Sequence, residues 1–385
     1  SSDPRLYFQR ARSYASLDND IKSIADYLTV EELDPEYDVA LYNNLAVAYK
    51  NLNDYEKALE VYGRAIKMDS TYPLVYRNRA QLYSENLNDN DSALLDYNKL
   101  IELDPEDSDG YYYRGEFYKN YLEDYDKAIE DFTSGIELNS SDPDLYFERA
   151  HSYASLDNDI KSIADYLTVE EIDPEYDVVL YNNLAVAYEN LNDYDKALEV
   201  YTKAIEMDST YTQAILNRAT LYEEHFNDNE KALLDYNKLI ELAPENSDHY
   251  YYRGRFYVEY LEDYDKAIVD FSKGIELNSS DPDLYFQRAL LNQNNLFNYD
   301  KSLADYLIAI ELDPQGVMAY NNIAQLYRIQ FKDYDKALDF YTKSIEMDST
   351  FVRYYLNRAT LYKKNLNDNE KALLDYNKLI ELAPE

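Results

Sequence analysis

Residues 42–69 read YNNLAVAYKNLNDYEKALEVYGRAIKMD, and this stretch decides the fold. Its first half carries aromatic, aliphatic and small residues at i, i+3, i+4 and i+7, which are Tyr42, Leu45, Ala46 and Tyr49. That spacing places all of them on one face of a helix. Ala58, Tyr62 and Ala65 repeat the spacing in the second half of the stretch. The stretch therefore predicts two consecutive helices that pack through their apolar stripes.

The same pattern recurs along the chain with a period of 34 to 35 residues. We count eleven copies, which begin near Pro4, Val39, Pro73, Ser108, Pro143, Val178, Thr212, Ser247, Pro282, Val317 and Val352. The pattern resembles the tetratricopeptide repeat, in which an aromatic residue, Leu with Gly or Ala, Tyr, Ala, Phe or Tyr, Ala and Pro follow in order. The resemblance implies an all-α fold, an α-solenoid of antiparallel helix hairpins that winds into a right-handed superhelix. One hairpin cannot bury its apolar face alone, so neighbouring hairpins must stack.

A longer period groups the repeats in fours. Residues 1–50 match residues 140–189 at 44 of 50 positions, and Ser-Ser-Asp-Pro occurs again at 279–282. We expect a single solenoid over residues 1–385, with super-units at about 4–142, 143–281 and 282–385, of which the last is partial. Five of the six differences between the two long copies lie on the first helix of a hairpin. This favours diversification of one surface, with simple drift as the alternative.

The composition excludes several function classes. The chain has 37 basic and 76 acidic residues and a net charge of −39, which argues against binding to the phosphates of a nucleic acid. It has no cysteine, so disulfide scaffolds and thiol nucleophiles are excluded. No apolar run approaches the length of a membrane span, and the first residues show no signal-peptide pattern. We expect a soluble protein without a membrane partner, and favour the cytoplasm over an extracellular location, although no residue pattern decides between them.

Candidates for catalysis or metal binding are few. The three histidines, His151, His225 and His249, are scattered, and nothing places a serine and an oxyanion hole beside them. The acidic turn at residues 86–91 lacks the glycine and the closing glutamate of a calcium-binding loop. The seven glycines form no phosphate-binding loop. We therefore predict a protein that is not an enzyme and takes no metal and no cofactor.

Two positions of the repeat covary. Eight repeats carry arginine just before the small residue of the first helix, at positions 10, 79, 114, 149, 218, 253, 288 and 358. The same eight carry aspartate just before the aromatic residue of the second helix, at positions 26, 96, 131, 165, 235, 270, 305 and 375. The other three pair Leu45 with Val61, Leu184 with Val200 and Ile323 with Phe340. Because burying one charge alone costs several kcal/mol, we predict interhelical ion pairs in the eight and apolar contacts in the three.

The resemblance to tetratricopeptide repeats also implies a binding surface, since the first helices of such repeats line a concave groove for an extended or helical peptide. Carried over residue by residue, the groove positions are Phe8, Arg12, Asn43, Asn44, Arg77, Tyr112, Phe147, His151, Asn182, Asn183, Tyr251, Arg255, Phe286, Asn321, Asn322 and Leu356. Amide side chains both donate to and accept from a peptide backbone, and aromatic rings supply contact area at low entropy cost. The lysines of a carboxylate clamp are not in matching positions.

Two function classes remain after these exclusions. One is a protein-interaction scaffold that binds protein or peptide segments in the groove. The other is a structural protein whose copies assemble head-to-tail into a filament, because an ordinary repeat stands at each end of the chain and complementary apolar end faces form open arrays. The net charge of −39 opposes such assembly at low salt, so we predict that salt strengthens it.

Overall fold

The computed structural model describes residues 3–382, which form 22 α-helices and no β-strand. The chain is thus an all-α helical repeat solenoid, as the sequence predicts. It divides into two compact units, one up to Val200 and one from Tyr201 onward.

The helices of the first unit follow one another as antiparallel pairs. They are α1 Pro4–Ala15, α2 Asp20–Leu33, α3 Val39–Asn51, α4 Tyr55–Met68, α5 Pro73–Asn86, α6 Asn90–Leu103, α7 Ser108–Tyr121, α8 Tyr125–Leu138, α9 Pro143–Ser155, α10 Asp159–Ile172 and α11 Val178–Asn190. Helix α12, Tyr194–Met207, begins in this unit and ends in the next.

The second unit continues the same arrangement. Its helices are α13 Thr212–Leu221, α14 Asn229–Leu242, α15 Ser247–Glu259, α16 Tyr264–Leu277, α17 Pro282–Asn294, α18 Tyr299–Leu312, α19 Val317–Leu326, α20 Tyr334–Met347, α21 Val352–Leu361 and α22 Asn369–Leu382. Three first helices, α13, α19 and α21, run on into π-helical turns, which are Tyr222–Phe226, Tyr327–Phe331 and Tyr362–Leu366.

A short polar turn closes each hairpin. In the turn between α3 and α4, Asn53 has φ 59°, the left-handed conformation that asparagine tolerates better than most residues. Asp54 then caps α4, because its side chain accepts a hydrogen bond from the backbone N–H of Lys57 at 3.3 Å. The Lys57 ammonium and this carboxylate also form an ion pair at 2.5 Å, and together these contacts lower the pKa of Asp54. The polar turn residues therefore start the second helix.

The predicted ion pairs are all present. In each of the eight hairpins, the arginine of the first helix donates two hydrogen bonds to the aspartate of the second helix, and the shortest N–O distances are 2.6–2.8 Å. The aspartates are buried, whereas the arginines keep part of their guanidinium groups at the surface. In the α3–α4 hairpin, Leu45 and Val61 are both buried in one apolar cluster instead. The eight Arg–Asp hairpins thus hold a buried aspartate through its arginine, whereas the α3–α4 hairpin packs two apolar residues at the same positions.

Consecutive hairpins meet at joints in which one side chain fills the space that the facing residue leaves. At the α8–α9 joint Leu145 occupies this space, and a Cβ atom on Gly135 would lie 2.7 Å from its Cδ2. At the α6–α7 joint the sizes are reversed, because Ile101 faces Gly110, where a Cβ would lie 3.1 Å from the Ile101 Cγ1. Since close-packed interiors tolerate neither voids nor overlaps, joints of different types are not interchangeable.

Candidate functional site

The candidate site consists of the groove positions inferred from the sequence, which lie on the first helices of both units. The structure places them at very different depths. Some are buried within joints and others are open to solvent, so their contacts decide what each offers to a partner.

The first asparagine of each repeated pair is buried, which corrects the expectation that both members face a ligand. Asn43 is 5% exposed, its Nδ2 donates to the Asn44 Oδ1 at 3.3 Å, and its Oδ1 accepts from the Asn78 Nδ2 at 2.9 Å. The other two pairs repeat the first bond, Asn182 to Asn183 and Asn321 to Asn322. Because the amide of Asn43 joins two neighbouring hairpins, Asn44 is the member left half-buried at the surface.

Two of the predicted groove aromatics pack against tyrosine rings in tilted contacts. Phe8 is buried, and its ring lies 5.3 Å from that of Tyr37. Phe147 is half-buried, with its ring 5.3 Å from that of Tyr176. Phe8 therefore belongs to the core rather than to a ligand-binding surface, because Tyr37, from the turn between α2 and α3, covers its ring.

Charged residues of α7 and α9 gather around Tyr112. The Lys119 ammonium is paired with the Glu148 carboxylate, and both side chains are largely buried. Burial and the charge of Glu148 raise the pKa of Glu116, and burial and the charge of Glu116 raise the pKa of Tyr112. Burial and then the Lys119 charge lower the pKa of His151. This cluster holds more acidic than basic side chains, since Glu116 and Glu148 face the single lysine Lys119.

The arginines of the candidate site differ in how they are held. The Arg77 guanidinium lies over the Tyr113 ring at 5.0 Å and donates to its hydroxyl at 3.3 Å. Arg255 forms an ion pair with Glu259 at 2.9 Å. Arg12 is exposed and lines a small surface pocket that also includes Asn44.

The remaining predicted positions stay accessible in part. Tyr251, Asn183, Asn322 and Phe286 are half-buried, and Leu356 is 44% exposed. These residues and Tyr112 are predicted groove positions that remain partly accessible to solvent.

The structure buries Glu223 in the first π-helical turn, which the helical pattern of the sequence does not indicate. Its side chain is 6% exposed, and its Oε2 accepts a hydrogen bond from the Tyr236 hydroxyl at 2.8 Å. Burial raises the pKa of Glu223 to about 7, against the opposing effects of Tyr236 and Arg255. The raised pKa of Glu223 has no counterpart in the helical pattern of the sequence. It arises because the π-helical turn brings the Glu223 side chain to Tyr236 on α14.

A pocket of about 310 Å³, which the repeat pattern does not predict, lies in the second unit between α17, α18 and α19. We call it the α17–α19 pocket, and it is lined by Pro282, Asp283, Phe286, Ala309, Asp313, Gln315, Gly316, Val317, Met318 and Ala319. Its sequence signal is the short turn at residues 313–317 together with Ala309 and Ala319, at positions where the first two super-units carry valine and leucine.

The described part of the chain contains neither a metal-binding cluster nor a membrane-spanning helix. Between residues 3 and 382, no group of three or more His, Asp or Glu side chains is arranged to hold a metal ion. No helix in this range combines the length and the apolar character needed to cross a bilayer.

Comparisons with known proteins agree with the helix pattern. Family models described as tetratricopeptide repeats match residues 4–37, 39–72, 75–107, 96–130, 178–211, 319–351 and 352–385, which together are more than half of the chain. No curated protein matches the chain.

Several solved structures are similar in fold. The C-terminal part of a repeat-containing protein from Cytophaga hutchinsonii aligns with a TM-score of 0.53 at 21% identity, over 64% of this chain and 98% of that one. Yeast Tom70 aligns with a TM-score of 0.49 at 18% identity, over 99% of this chain and 92% of that one. A tetratricopeptide repeat protein from Parabacteroides merdae aligns at 0.47 and 21% identity, over 62% and 93%. At these identities the likeness concerns the fold alone.

Proposed function

Because this chain belongs to the tetratricopeptide repeat family, we propose that it is a non-catalytic scaffold that holds segments of partner proteins along the inner face of its first helices. The observation that carries this proposal is the set of positions at which residues 1–50 differ from their near-identical copy, residues 140–189. Arg5, Gln9 and Arg12 of the first copy are replaced by acidic residues and a histidine in the second, whereas residues 21–32 are unchanged at 160–171. Change concentrated on the first helices is typical of a surface that selects its ligands.

The contacts of the inner face support a polar partner segment. Around Tyr112, the half-buried Glu116 and the Lys119–Glu148 pair leave an excess of negative charge beside an aromatic ring. Such a surface binds a basic side chain through charge and ring contact together. Asn183 lies on the same inner face and offers an amide to the backbone of the bound segment.

A peptide-display screen against the full chain tests this proposal. Tyr112→Ala and Asn183→Ala should each weaken the selected peptides by about tenfold, the loss of one good contact, with nearly unchanged melting temperatures. Lys22→Ala and Lys161→Ala are matched controls, because both lysines are exposed on second helices. Peptides whose binding depends on Lys22 or Lys161 and ignores Tyr112 would move the site to the outer face and contradict the proposal.

A second candidate function is end-to-end assembly. Helices α14 and α22 have the same sequence, NEKALLDYNKLIEL, yet Ile240 is half-buried whereas Ile380 is 68% exposed. At the other end, Leu6 is 60% exposed although its counterpart Leu145 is fully buried. Both end hairpins of this chain thus present apolar residues that a further hairpin would cover.

Sedimentation at increasing salt tests the assembly. Salt screens the repulsion between copies that carry a net charge of −39, so association through apolar faces should increase with salt concentration. Leu6→Glu should abolish it, while Leu95→Glu, at an exposed position on α6, should not. A chain that stays monomeric at high concentration and high salt has no end-to-end function.

A further inference from the structure

The same joint occurs three times in the chain, once in each super-unit, and only the third copy is open. In the first copy the ring of Tyr37 covers Phe8, and in the second the ring of Tyr176 covers Phe147, at 5.3 Å in both. The Tyr176 hydroxyl also donates to the Asp144 Oδ1 at 2.6 Å. Each of these tyrosines comes from the turn before the next first helix and closes its joint.

The third copy has lost this tyrosine. The turn Asp173-Pro-Glu-Tyr-Asp177 of the second copy corresponds to Asp313-Pro-Gln-Gly316, which is one residue shorter and has no aromatic residue. Phe286, the counterpart of Phe147, keeps only its inner neighbour, since its ring lies 5.6 Å from that of Tyr306. Its outer side borders the α17–α19 pocket.

Two further substitutions enlarge the same space. Ala309 stands where the second copy has Val169, and Ala319 stands where it has Leu180. Val169 and Leu180 are both fully buried, so their side chains fill the joint between α10 and α11. Both alanines line the pocket, which has a volume of about 310 Å³. An apolar cavity of about 150 Å³ takes up benzene, so this pocket has room for an aromatic ring.

We propose that the α17–α19 pocket binds a tyrosine side chain of a partner segment, whose ring packs on Phe286 and whose hydroxyl donates to Asp283. Asp283 is the counterpart of Asp144, which accepts the hydroxyl of Tyr176 in the closed copy. The occupant thus takes the place that a tyrosine of the chain itself occupies in the other two copies. The inference that the tyrosine belongs to a partner segment rests on the proposed scaffold function. The inference that the pocket binds a phenolic ring does not.

The rim of the pocket favours a hydroxyl donor over a plain ring. Asp283 and Asp313 both line it, and desolvation together with the charges of Asp281 and Asp313 raises the pKa of Asp283. The short turn supplies no phenol to this carboxylate, so a bound hydroxyl gains a charge-assisted hydrogen bond. Met318, 63% exposed at the rim, offers a flexible apolar contact to the entering segment.

Binding of 4-methylphenol to the full chain, measured by ligand-observed NMR and calorimetry, tests this inference. We expect one site, and binding of toluene weaker by about tenfold because it lacks the hydroxyl. Asp283→Asn should reduce this preference for the phenol. The double substitution Ala309→Val with Ala319→Leu should raise the melting temperature and weaken 4-methylphenol binding by at least about tenfold.

A matched variant opens the closed copy. Tyr176→Gly should create a second site for 4-methylphenol beside Asp144 and Phe147, and calorimetry should then report two sites per chain. Circular dichroism confirms that each variant is folded. The inference would be overturned if wild type bound no 4-methylphenol at millimolar concentration. The same holds if the double variant Ala309→Val with Ala319→Leu bound 4-methylphenol as well as wild type. Tighter binding of benzylamine than of 4-methylphenol would also overturn it, since the pocket would then select a cation.

These outcomes are distinct from those of the scaffold test. If peptides bind through Tyr112 and Asn183 but the pocket takes no phenol, only the inference about the pocket fails. If the pocket takes the phenol but no peptide depends on the inner face, the proposed function fails and the pocket remains a site for a phenolic group.

Discussion

At the scale of single residues, the repeats show how one polar contact is kept in a buried place. The Arg114 guanidinium donates to both oxygens of Asp131, at 2.8 and 2.6 Å, and to the Asn98 side chain at 2.7 Å. Asp131 is 5% exposed, so its charge has little access to water. A buried carboxylate without its partner is strongly destabilising, whereas an apolar pair of similar volume is tolerated. The three hairpins with Leu45, Leu184 and Ile323 use that apolar solution.

The first prediction concerns this pair. Arg114→Leu alone should lower the free energy of unfolding by about 3 kcal/mol, because it leaves the Asp131 carboxylate buried and unpaired. Adding Asp131→Val should recover much of the loss, since the pair then resembles Leu45 and Val61. A double-mutant cycle measured by urea unfolding gives the coupling. A coupling energy near zero would mean that the covariation reflects no contact.

The second prediction concerns Glu223 and pH. Its pKa of about 7 in the folded chain lies above the value of 4.5 expected without burial, so the folded chain holds this proton more tightly. Stability from this group is therefore full at low pH and is lost as the pH rises through 7. Glu223→Gln should make the chain more stable than wild type by about 2 kcal/mol at pH 8 and similar to it near pH 4.

Urea midpoints between pH 4 and pH 8 measure this difference, and Glu224→Gln is the control because Glu224 is exposed in the same turn. Arg255, Glu224 and Glu259 also act on the charge of Glu223, so both variants are compared with wild type at one salt concentration. Equal pH profiles for Glu223→Gln and wild type would show that Glu223 stays ionised when buried.

At the scale of helices and joints, glycines mark the places of closest approach. Gly135 lies on α8 against Leu145, and Gly115 lies on α7 where a Cβ would be 2.7 Å from the Phe132 ring. Gly63 on α4 is different, because no atom beyond its chain neighbours and the adjoining helix backbone lies within 4 Å of the position that its Cβ would take. Glycine in a helix interior costs stability. At Gly135 and Gly115 the close side chains of Leu145 and Phe132 explain why glycine is present, whereas no neighbouring side chain requires glycine at position 63.

The third prediction compares these glycines. Gly63→Ala should raise the free energy of unfolding by about 0.5–1 kcal/mol, since alanine restricts the unfolded chain and fits without contact. Gly135→Ala should lower it by about 1–3 kcal/mol, because the new methyl group overlaps Leu145 and the joint is overpacked. Thermal unfolding of both variants measures the contrast. A stabilising Gly135→Ala would show that the joint yields without strain.

At the scale of the whole molecule, the features that the sequence predicts are those set within one hairpin. Tyr42, Leu45 and Tyr49 show the helix face by their spacing, and the Arg–Asp pairs appear as covariation because both partners recur in each repeat. The burial of Asn43 was missed because it depends on Asn78 of the next hairpin. The environment of Glu223 depends on a π-helical turn that has no periodic signal. The α17–α19 pocket arises from a one-residue deletion, which is visible only when the super-units are compared.

The last prediction follows from the way a solenoid distributes its stability. Each hairpin contacts only its neighbours, so the same side chain has a different energetic value inside the array and at its end. Leu145 is fully buried against Gly135, whereas Leu6, at the same position of the first copy, is 60% exposed. Leu145→Ala should therefore cost about 2–4 kcal/mol, and Leu6→Ala should change the free energy of unfolding by less than about 0.5 kcal/mol. Leu284→Ala should match Leu145→Ala, since Leu284 packs on Gly274 in the same way. Urea unfolding of the three variants measures this order, and equal losses at Leu6 and Leu145 would mean that stacking on the preceding hairpin contributes little to stability.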